Sequence, residues 1–365
     1  MEDDARRWAA LDLYDDEAPE AEDRLAALRF LAARGATDDE LRRAAAEGGL
    51  PALAGELCMR RRRRTPRDVA AAAGVPLEEA TLILRAAGLG DPGVDEPRLL
   101  DSDVDTIRLA AAAAELFGLE STLQFTRVLG AALTSVADAA MTNFGQNVAP
   151  VLDAEGAGEL ERAQAIDFAT RLLVDEVPGM IADIFFHYCE DAVRRTAVSG
   201  ASATSDLTVG FLDLVGSTAL AERLSPAEFG GLISAFERDA TERVVAAGGH
   251  VVKTIGDEVM FVATDAGSAC EVALELARRV DDDALLPRLR GGLAAGGLVR
   301  GYGDYYGPVV NTAARAVKLA DPGAIWTTDE VRRRSDADRF AFDPLGDHVL
   351  RGFGRAVPLF ALRRS

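Results

Sequence analysis

From Met1 to about Val198 the apolar positions recur at helical spacing, in a background rich in Ala, Leu, Arg and Glu and poor in strand formers, which predicts an all-α region. Leu116, Phe117, Leu123, Phe125, Val128, Leu129 and Leu133 form one broad apolar stripe, which reads as core; a lipid-accepting groove between helices is the less favoured alternative. Ile181, Ile184, Phe185, Tyr188 and Ala192 repeat at i, i+3, i+4, i+7, so the last helix of this half is expected to bury one face. Beyond Ser205 the period changes. Leu207–Leu214 is an apolar strand ending on one acid, Asp213, and is followed by Val215-Gly216-Ser217-Thr218 and a long helical pattern from Pro226 to Ala247. His250–Val262 holds two apolar runs about a Gly256-Asp257 step, a tight hairpin with an acid at its tip. A second helix spans Ala266–Val280, Leu289–Arg300 is a glycine-rich strand, and 324–328 and 357–362 supply later strands. The domains expected are a helical one over 1–198, a linker over 199–204 and an α+β domain over 205–365.

Composition narrows the class. A chain of 365 residues with formal charge −20 is long enough for two cored domains, and its charge argues against nonspecific binding to nucleic acid or anionic membranes. Cys58, Cys189 and Cys270 have no metal or disulfide spacing, which fits a reducing cytoplasm. The apolar run Leu109–Leu119 is broken by Glu115 and the start is acidic, so neither a membrane span nor a signal peptide is expected. Arg60–Arg64 precedes a helix, a Gly74 turn and a second helix, a pattern like a helix-turn-helix; Glu78 and Glu79 at the start of the second helix argue for a solvated basic face rather than a DNA contact.

Three stretches carry candidate chemistry. In a β-α-β-β-α-β sheet the first strand lies antiparallel beside the third, about 5 Å away, which brings Asp213 and Asp257 close enough to bridge divalent cations about 3.5–4 Å apart. Two adjacent carboxylates repel unless a positive group joins them, and hard oxygen donors without His or Cys favour Mg²⁺ or Mn²⁺. The turn at Gly216, Ser217 and Thr218 offers backbone N–H groups to phosphate oxygens. Lys253 stands among valines, and only Lys318 joins it as a second lysine, so an acceptor for its ammonium is expected. Asn311 and Arg315 are spaced i, i+4 and share a helix face, a pairing suited to a nucleotide's sugar and to charge on a phosphate. Taken singly, each of these residues has an ordinary reading as a turn acid, a helix cap or a solvated cation.

Together they resemble the catalytic domain of class III nucleotidyl cyclases over roughly Ser205–Leu362: Phe211–Thr218 and Lys253–Asp257 are similar to its two metal-aspartate motifs, and Asp304–Gly307 with Val310–Arg315 to its base-reading and transition-state segment. The resemblance implies a ferredoxin-like fold, two Mg²⁺ or Mn²⁺ ions per site on Asp213 and Asp257, and base selection by Lys253 and Asp304. It further implies transition-state stabilisation by Asn311 and Arg315, and Leu350–Phe353 resembles the segment that would make Arg351 a triphosphate-binding cation. Each site of such enzymes is built between two catalytic domains, so one complete set per chain implies a homodimer acting on ATP. Relatives that act on GTP usually carry Glu with Cys or Ser where this chain has Lys253 and Asp304. No general base stands out, since strand alternation sets Glu258 opposite to Asp257.

The first half resembles, more loosely, the helical regulatory domains of soluble actinobacterial adenylyl cyclases, some of them pH-responsive. A proton acting through His187, a lipid or another small molecule is the effector this implies, and a helix joined so closely to the first catalytic strand is well placed to move it. The alternative from another class is a nonenzymatic nucleotide- or DNA-binding regulator on a cyclase-like fold; a guanylyl cyclase is the third reading.

Overall fold

The computed structural model describes residues 2–90, 93–199, 204–281, 286–352, 354 and 356–365. Its contacts divide the chain into two compact units, Met1–Arg194 and Arg195–Ser365. Most of the expected linker, residues 200–203, and Phe353 lie outside the described residues.

The first unit is helical apart from a two-residue ribbon in which Arg63–Arg64 pairs antiparallel with Leu99–Leu100. One core gathers Trp8, Leu28, Leu31, Leu41, Leu50 and Leu53, and a second gathers Val69, Ile83, Leu84, Leu99 and Ile107. Helices Pro66–Ala73 and Leu77–Ala86 flank Gly74 at φ +74°, and Thr65 caps the first of them in a reciprocal box with Asp68. Four of the five arginines before them are used within the chain: Arg60 bonds Glu40, Arg61 the Cys58 carbonyl, Arg63 the Arg98 carbonyl and Arg64 Asp101. Asp167, buried on helix Glu159–Arg171, accepts both arms of Arg34 at 2.6 and 2.7 Å, Arg171 at 3.2 Å and the Cys58 thiol at 3.1 Å. Arg34, burial notwithstanding, holds the Asp167 carboxyl far below the ordinary carboxylate range.

Two expectations for this half need correction. Of the stripe expected as core, only Leu123 is buried; Leu116 is 75% and Phe117 68% exposed, and Phe125, Val128, Leu129 and Leu133 are exposed as well. Helix Leu119–Asn147 is 29 residues long, and its buried residues, Thr122 and Leu123, lie in its first two turns. Helix Val177–Ser199 likewise leaves Ile184, Phe185 and Tyr188 exposed. Periodicity states which face is apolar, whereas burial depends on a neighbour that one chain does not bring to these helices. Between 171 and 177 the helix widens to a π turn, Leu172–Glu176, in which the Val177 N–H reaches the Leu172 carbonyl. Pro178 explains the defect, because its missing N–H and its ring disturb the preceding turn. No helix among the described residues is long and apolar enough to cross a membrane.

In the second unit strands β1 (Thr204–Leu214), β2 (His250–Ile255), β3 (Glu258–Ala263) and β4 (Leu289–Gly301) form an antiparallel sheet in the order β2-β3-β1-β4, the ferredoxin-like arrangement. A short strand β5 (Asp304–Tyr306) folds back on β4, and β6 (Ile325–Thr328), parallel to β4, extends the sheet through β8 (Ala356–Arg364) to β7 (Phe340–Val349). Strand β7 was not among the elements read from the sequence. Its residues 343–348 are mostly exposed and include Pro344 and Gly346, so no alternation marks it.

Alternation along β1 distributes the sheet's two faces. Leu212 and Leu214 join Val259, Phe261, Leu289 and Leu293 under helices α1 (Pro226–Ala246) and α2 (Ala266–Asp281). Leu207, Val209 and Phe211 join Met260, Val262 and Ala294 under helix α3 (Pro308–Leu319). Glycine makes the second packing possible: a Cβ on Gly292 would lie 2.3 Å from the Ala313 carbonyl oxygen and 2.5 Å from the Val317 nitrogen. Gly291 and Gly292 of β4 thus admit Ile325 and helix α3 of the same chain.

Candidate functional site

Asp213 continues the Leu207, Val209, Phe211 series, so its side chain belongs to the α3 face at the carboxyl end of β1. Register places Glu258 of β3 directly across from it on one side and Arg290 of β4 on the other. Directly opposed residues point to the same face, and Glu258, Asp213 and Arg290 form one row across three strands. Arg290 Nε donates to Asp213 Oδ2 at 2.7 Å, and its Nη2 bonds the same oxygen. From α3 above the row, Lys318 Nζ lies 2.5 Å from Glu258 Oε2 and 3.5 Å from Asp213 Oδ2. Burial pulls the Lys318 ammonium down, but the bond to Glu258 and the charges of Glu258 and Asp213 outweigh it, so its pKa is raised.

These contacts amend one expectation. Counting alternation from Asp257 sets Glu258 on the opposite face, but Asp257 sits in the hairpin turn, with Gly256 at φ +63°, where a period of two does not hold. Counted along β3 itself, Glu258 shares the face of Met260 and Val262, and hence of Asp213. Asp257 reaches the same end of the sheet by another route. Its carbonyl accepts the Leu214 N–H at 3.3 Å, and its Oδ2 accepts the Ser217 hydroxyl at 2.6 Å. The two aspartates thus stand at neighbouring strand ends. Gly216 adopts φ +88° ahead of the five-residue helix Ser217–Ala221; Ser217 is buried and Thr218 exposed.

Lys253 and Asp304, separated by 51 positions, meet at 2.5 Å between Nζ and Oδ2. The β5 fold-back carries Asp304 there, and its second oxygen accepts the Tyr305 N–H at 2.8 Å. The acceptor expected for a lysine among valines is therefore the Asp304 carboxylate. Helix α3 sets Asn311 on an exposed turn, while the Arg315 guanidinium bonds the Arg351 carbonyl beside Gly352, itself at φ +84°. The Arg351 side chain is exposed. Three groupings result: the carboxylate row with Asp257, the Lys253–Asp304 pair, and Arg315 with Arg351. Of the residues now in the first grouping, Arg290 and Lys318 were given no role by sequence. The signal available was the position of Arg290 two residues before the glycine that α3 covers, and the rarity of lysine in this chain. Cys270 lies in the core under α1 and α2, where burial pushes its thiol up to about 12.

Residues 200–362 match the adenylate and guanylate cyclase catalytic domain, and residues 9–192 the adenylate cyclase regulatory domain. The chain belongs to the class III nucleotidyl cyclases. Among the relatives of this cyclase is an adenylate cyclase of Streptomyces coelicolor, 30% identical over 336 residues, covering 83% of this chain and 87% of that protein. A pH-sensitive adenylate cyclase of Mycobacterium tuberculosis is 33% identical over 319 residues, covering 82% and 78%. The crystal structure of the adenylyl cyclase CyaB from P. aeruginosa overlaps 44% of this chain and 95% of its own, at 22% identity and a TM-score of 0.42. The catalytic-domain family spans both adenylate and guanylate cyclases, so membership alone leaves the base open.

The donor set of this cyclase fits hard divalent cations. Asp213 and Asp257 offer carboxylate oxygens at adjoining strand ends, and no cluster of three or more His, Cys, Asp or Glu suited to a metal occurs among the described residues. Two such carboxylates suit an ion completed by substrate phosphates and water.

Proposed function

We propose that the protein is an adenylate cyclase converting ATP to 3′,5′-cyclic AMP and pyrophosphate at sites formed between two copies of the chain. The observation that carries this reading is the meeting of Lys253 with Asp304 in a domain that also brings Asp213 beside Asp257. Adenine presents an acceptor at N1 and a donor at N6, matching an ammonium and a carboxylate; guanine reverses both. Asp213 and Asp257 would hold two Mg²⁺ or Mn²⁺ ions, which supply acidity to the attacking 3′-hydroxyl and neutralise charge on the phosphates.

The rest is done by the chain's own side chains. Ser217 orients Asp257 through its hydroxyl, and Arg290 fixes Asp213 through two N–H groups on one oxygen. Backbone N–H groups at Gly216, Ser217 and Thr218 lie next to the aspartates, where the triphosphate would run. Asn311 would hold the ribose of the ATP bound at the partner's aspartates, and Arg315 would meet charge developing at the α-phosphorus as the 3′-oxygen attacks and pyrophosphate departs. The Arg315 bond to the Arg351 carbonyl ties that guanidinium to the segment whose exposed Arg351 would bind the leaving phosphates. A two-fold dimer gives two equivalent sites, and the apolar stripes that one chain leaves exposed on helices Leu119–Asn147 and Val177–Ser199 suit a protein that works as a pair.

The helical half, 1–198, is proposed to modulate turnover through the linker at 199–204 into the catalytic domain at 205–365, with a proton or a lipid as candidate effector. His187 is exposed, with Nδ1 3.7 Å from Glu190 Oε2. A cytoplasmic setting belongs to the same reading, with the three cysteines free. A nonenzymatic DNA-binding role draws no support from Arg60, Arg61, Arg63 and Arg64, whose side chains are engaged within the chain.

The test is incubation of the purified chain with Mn²⁺ and ATP, following pyrophosphate and cyclic nucleotide, beside an Asp213→Asn variant and a GTP arm. Cyclic AMP that disappears with Asp213→Asn supports the proposal. No product from either nucleotide returns the protein to the nonenzymatic class.

A further inference from the structure

Asp213 and Glu258 face each other across adjacent antiparallel strands, where side chains stand about 5 Å apart and like charges repel. Lys318 relieves that repulsion: its Nζ is bonded to Glu258 Oε2 at 2.5 Å and lies 3.5 Å from Asp213 Oδ2, the oxygen that also accepts Arg290. Its position is imposed by the fold. Helix α3 is seated on the bare backbone of Gly292, and Lys318 follows Val317, one of the residues in that contact. A divalent ion at Asp213 would satisfy the same carboxylate that Lys318 faces, so the ion and the ammonium are rivals for it.

We propose that the Glu258–Lys318 pair is a built-in counter-ion that competes with the divalent cation for Asp213 and thereby sets how much metal the site demands. This rests on Asp213 being a metal ligand, as argued above. The charge balance gives the pair opposite signs. Asp213, Asp257 and Glu258 stand against Arg290 and Lys318, leaving one net negative charge. Lys318→Gln raises the net negative charge to two, Glu258→Gln reduces it to zero, and the double variant restores one. A unit charge about 6 Å from a divalent ion, even at the dielectric of water, is worth about tenfold in affinity.

The experiment titrates Mn²⁺ alone into the full chain and reads free Mn²⁺ by electron paramagnetic resonance, taking as signal the binding lost in Asp213→Asn. Lys318→Gln is expected to tighten that binding about tenfold, Glu258→Gln to weaken it about tenfold, and the double variant to fall within about threefold of the parent. A merely structural role for the pair would move both single variants the same way, and that result, or an unchanged Lys318→Gln, overturns the inference. If Asp213→Asn binds Mn²⁺ as the parent does, the metal role of Asp213 itself has failed, which is a separate result and removes the inference with it.

Discussion

Exchanging Lys253→Glu together with Asp304→Ser inverts the hydrogen-bond pattern offered to the base, from a donor beside an acceptor to an acceptor beside a donor. Each mismatched polar contact in a desolvated pocket costs about 1–3 kcal/mol. Lys253 is 40% and Asp304 26% exposed at the side chain, so solvent screens the pair and the low end applies. About 1 kcal/mol at each of two contacts gives about 2 kcal/mol in favour of ATP in the parent, or about thirtyfold in kcat/KM. The exchange turns this into about 2 kcal/mol in favour of GTP, a shift in the ATP-to-GTP ratio of about a thousandfold. Lys253→Glu alone is expected to lose activity with both nucleotides, because a glutamate would then stand where Asp304 now accepts the ammonium and the two acids would repel. The assay is the initial rate of pyrophosphate release at subsaturating nucleotide, with equal Mn²⁺ in both arms. A double variant that remains folded and active with the parent's ATP-to-GTP ratio would refute base reading by this pair.

Gly292→Ala drives a methyl into the Ala313 carbonyl and the Val317 amide, so α3 must lift; overpacking of about 1–3 kcal/mol is expected as a lower thermal midpoint of the catalytic unit, with activity falling as Asn311 and Arg315 move. Ser217→Ala frees the Asp257 carboxylate without removing a charge, and a fall of about tenfold in kcat/KM that a higher Mn²⁺ concentration partly restores would identify the hydroxyl as positioning. Asp167→Ala leaves Arg34 and Arg171 facing an empty partner, and about 3 kcal/mol of loss is expected from denaturant unfolding of the helical unit. Because the folded-state pKa of Asp167 is depressed, chiefly by Arg34, its contribution is fully present above the unfolded value near pH 4 and is lost as pH falls below it; the variant should therefore differ from the parent at pH 7 and converge with it in strong acid. If His187 carries a proton signal, His187→Ala flattens the pH–activity profile; an unchanged profile removes it from that role.

Local chemistry alone determined much of this protein. The change from a helical period to a period of two near Ser205, the glycine in the turn at 256, and the capping pattern at Thr65 act over a few residues and can be read in order along the chain. The resemblance that named the aspartates, Lys253, Asp304, Asn311 and Arg315 is likewise a property of short segments, because the backbone in each must take one conformation to serve the nucleotide. What lay beyond reach is whatever depends on which elements become neighbours. The row Glu258–Asp213–Arg290 exists because β1 runs between β3 and β4 in a particular register, and Lys318 joins it because Gly292 lets a helix lie on the sheet. Periodicity marked the apolar faces of helices 119–147 and 177–199 but not whether anything covers them, since the pattern records an orientation and burial is a relation between two surfaces. For the same reason Arg60–Arg64 reads as a basic patch along the chain, and Arg60, Arg61, Arg63 and Arg64 become a set of internal bonds once Glu40, Asp101 and the carbonyls of Cys58 and Arg98 fold against them.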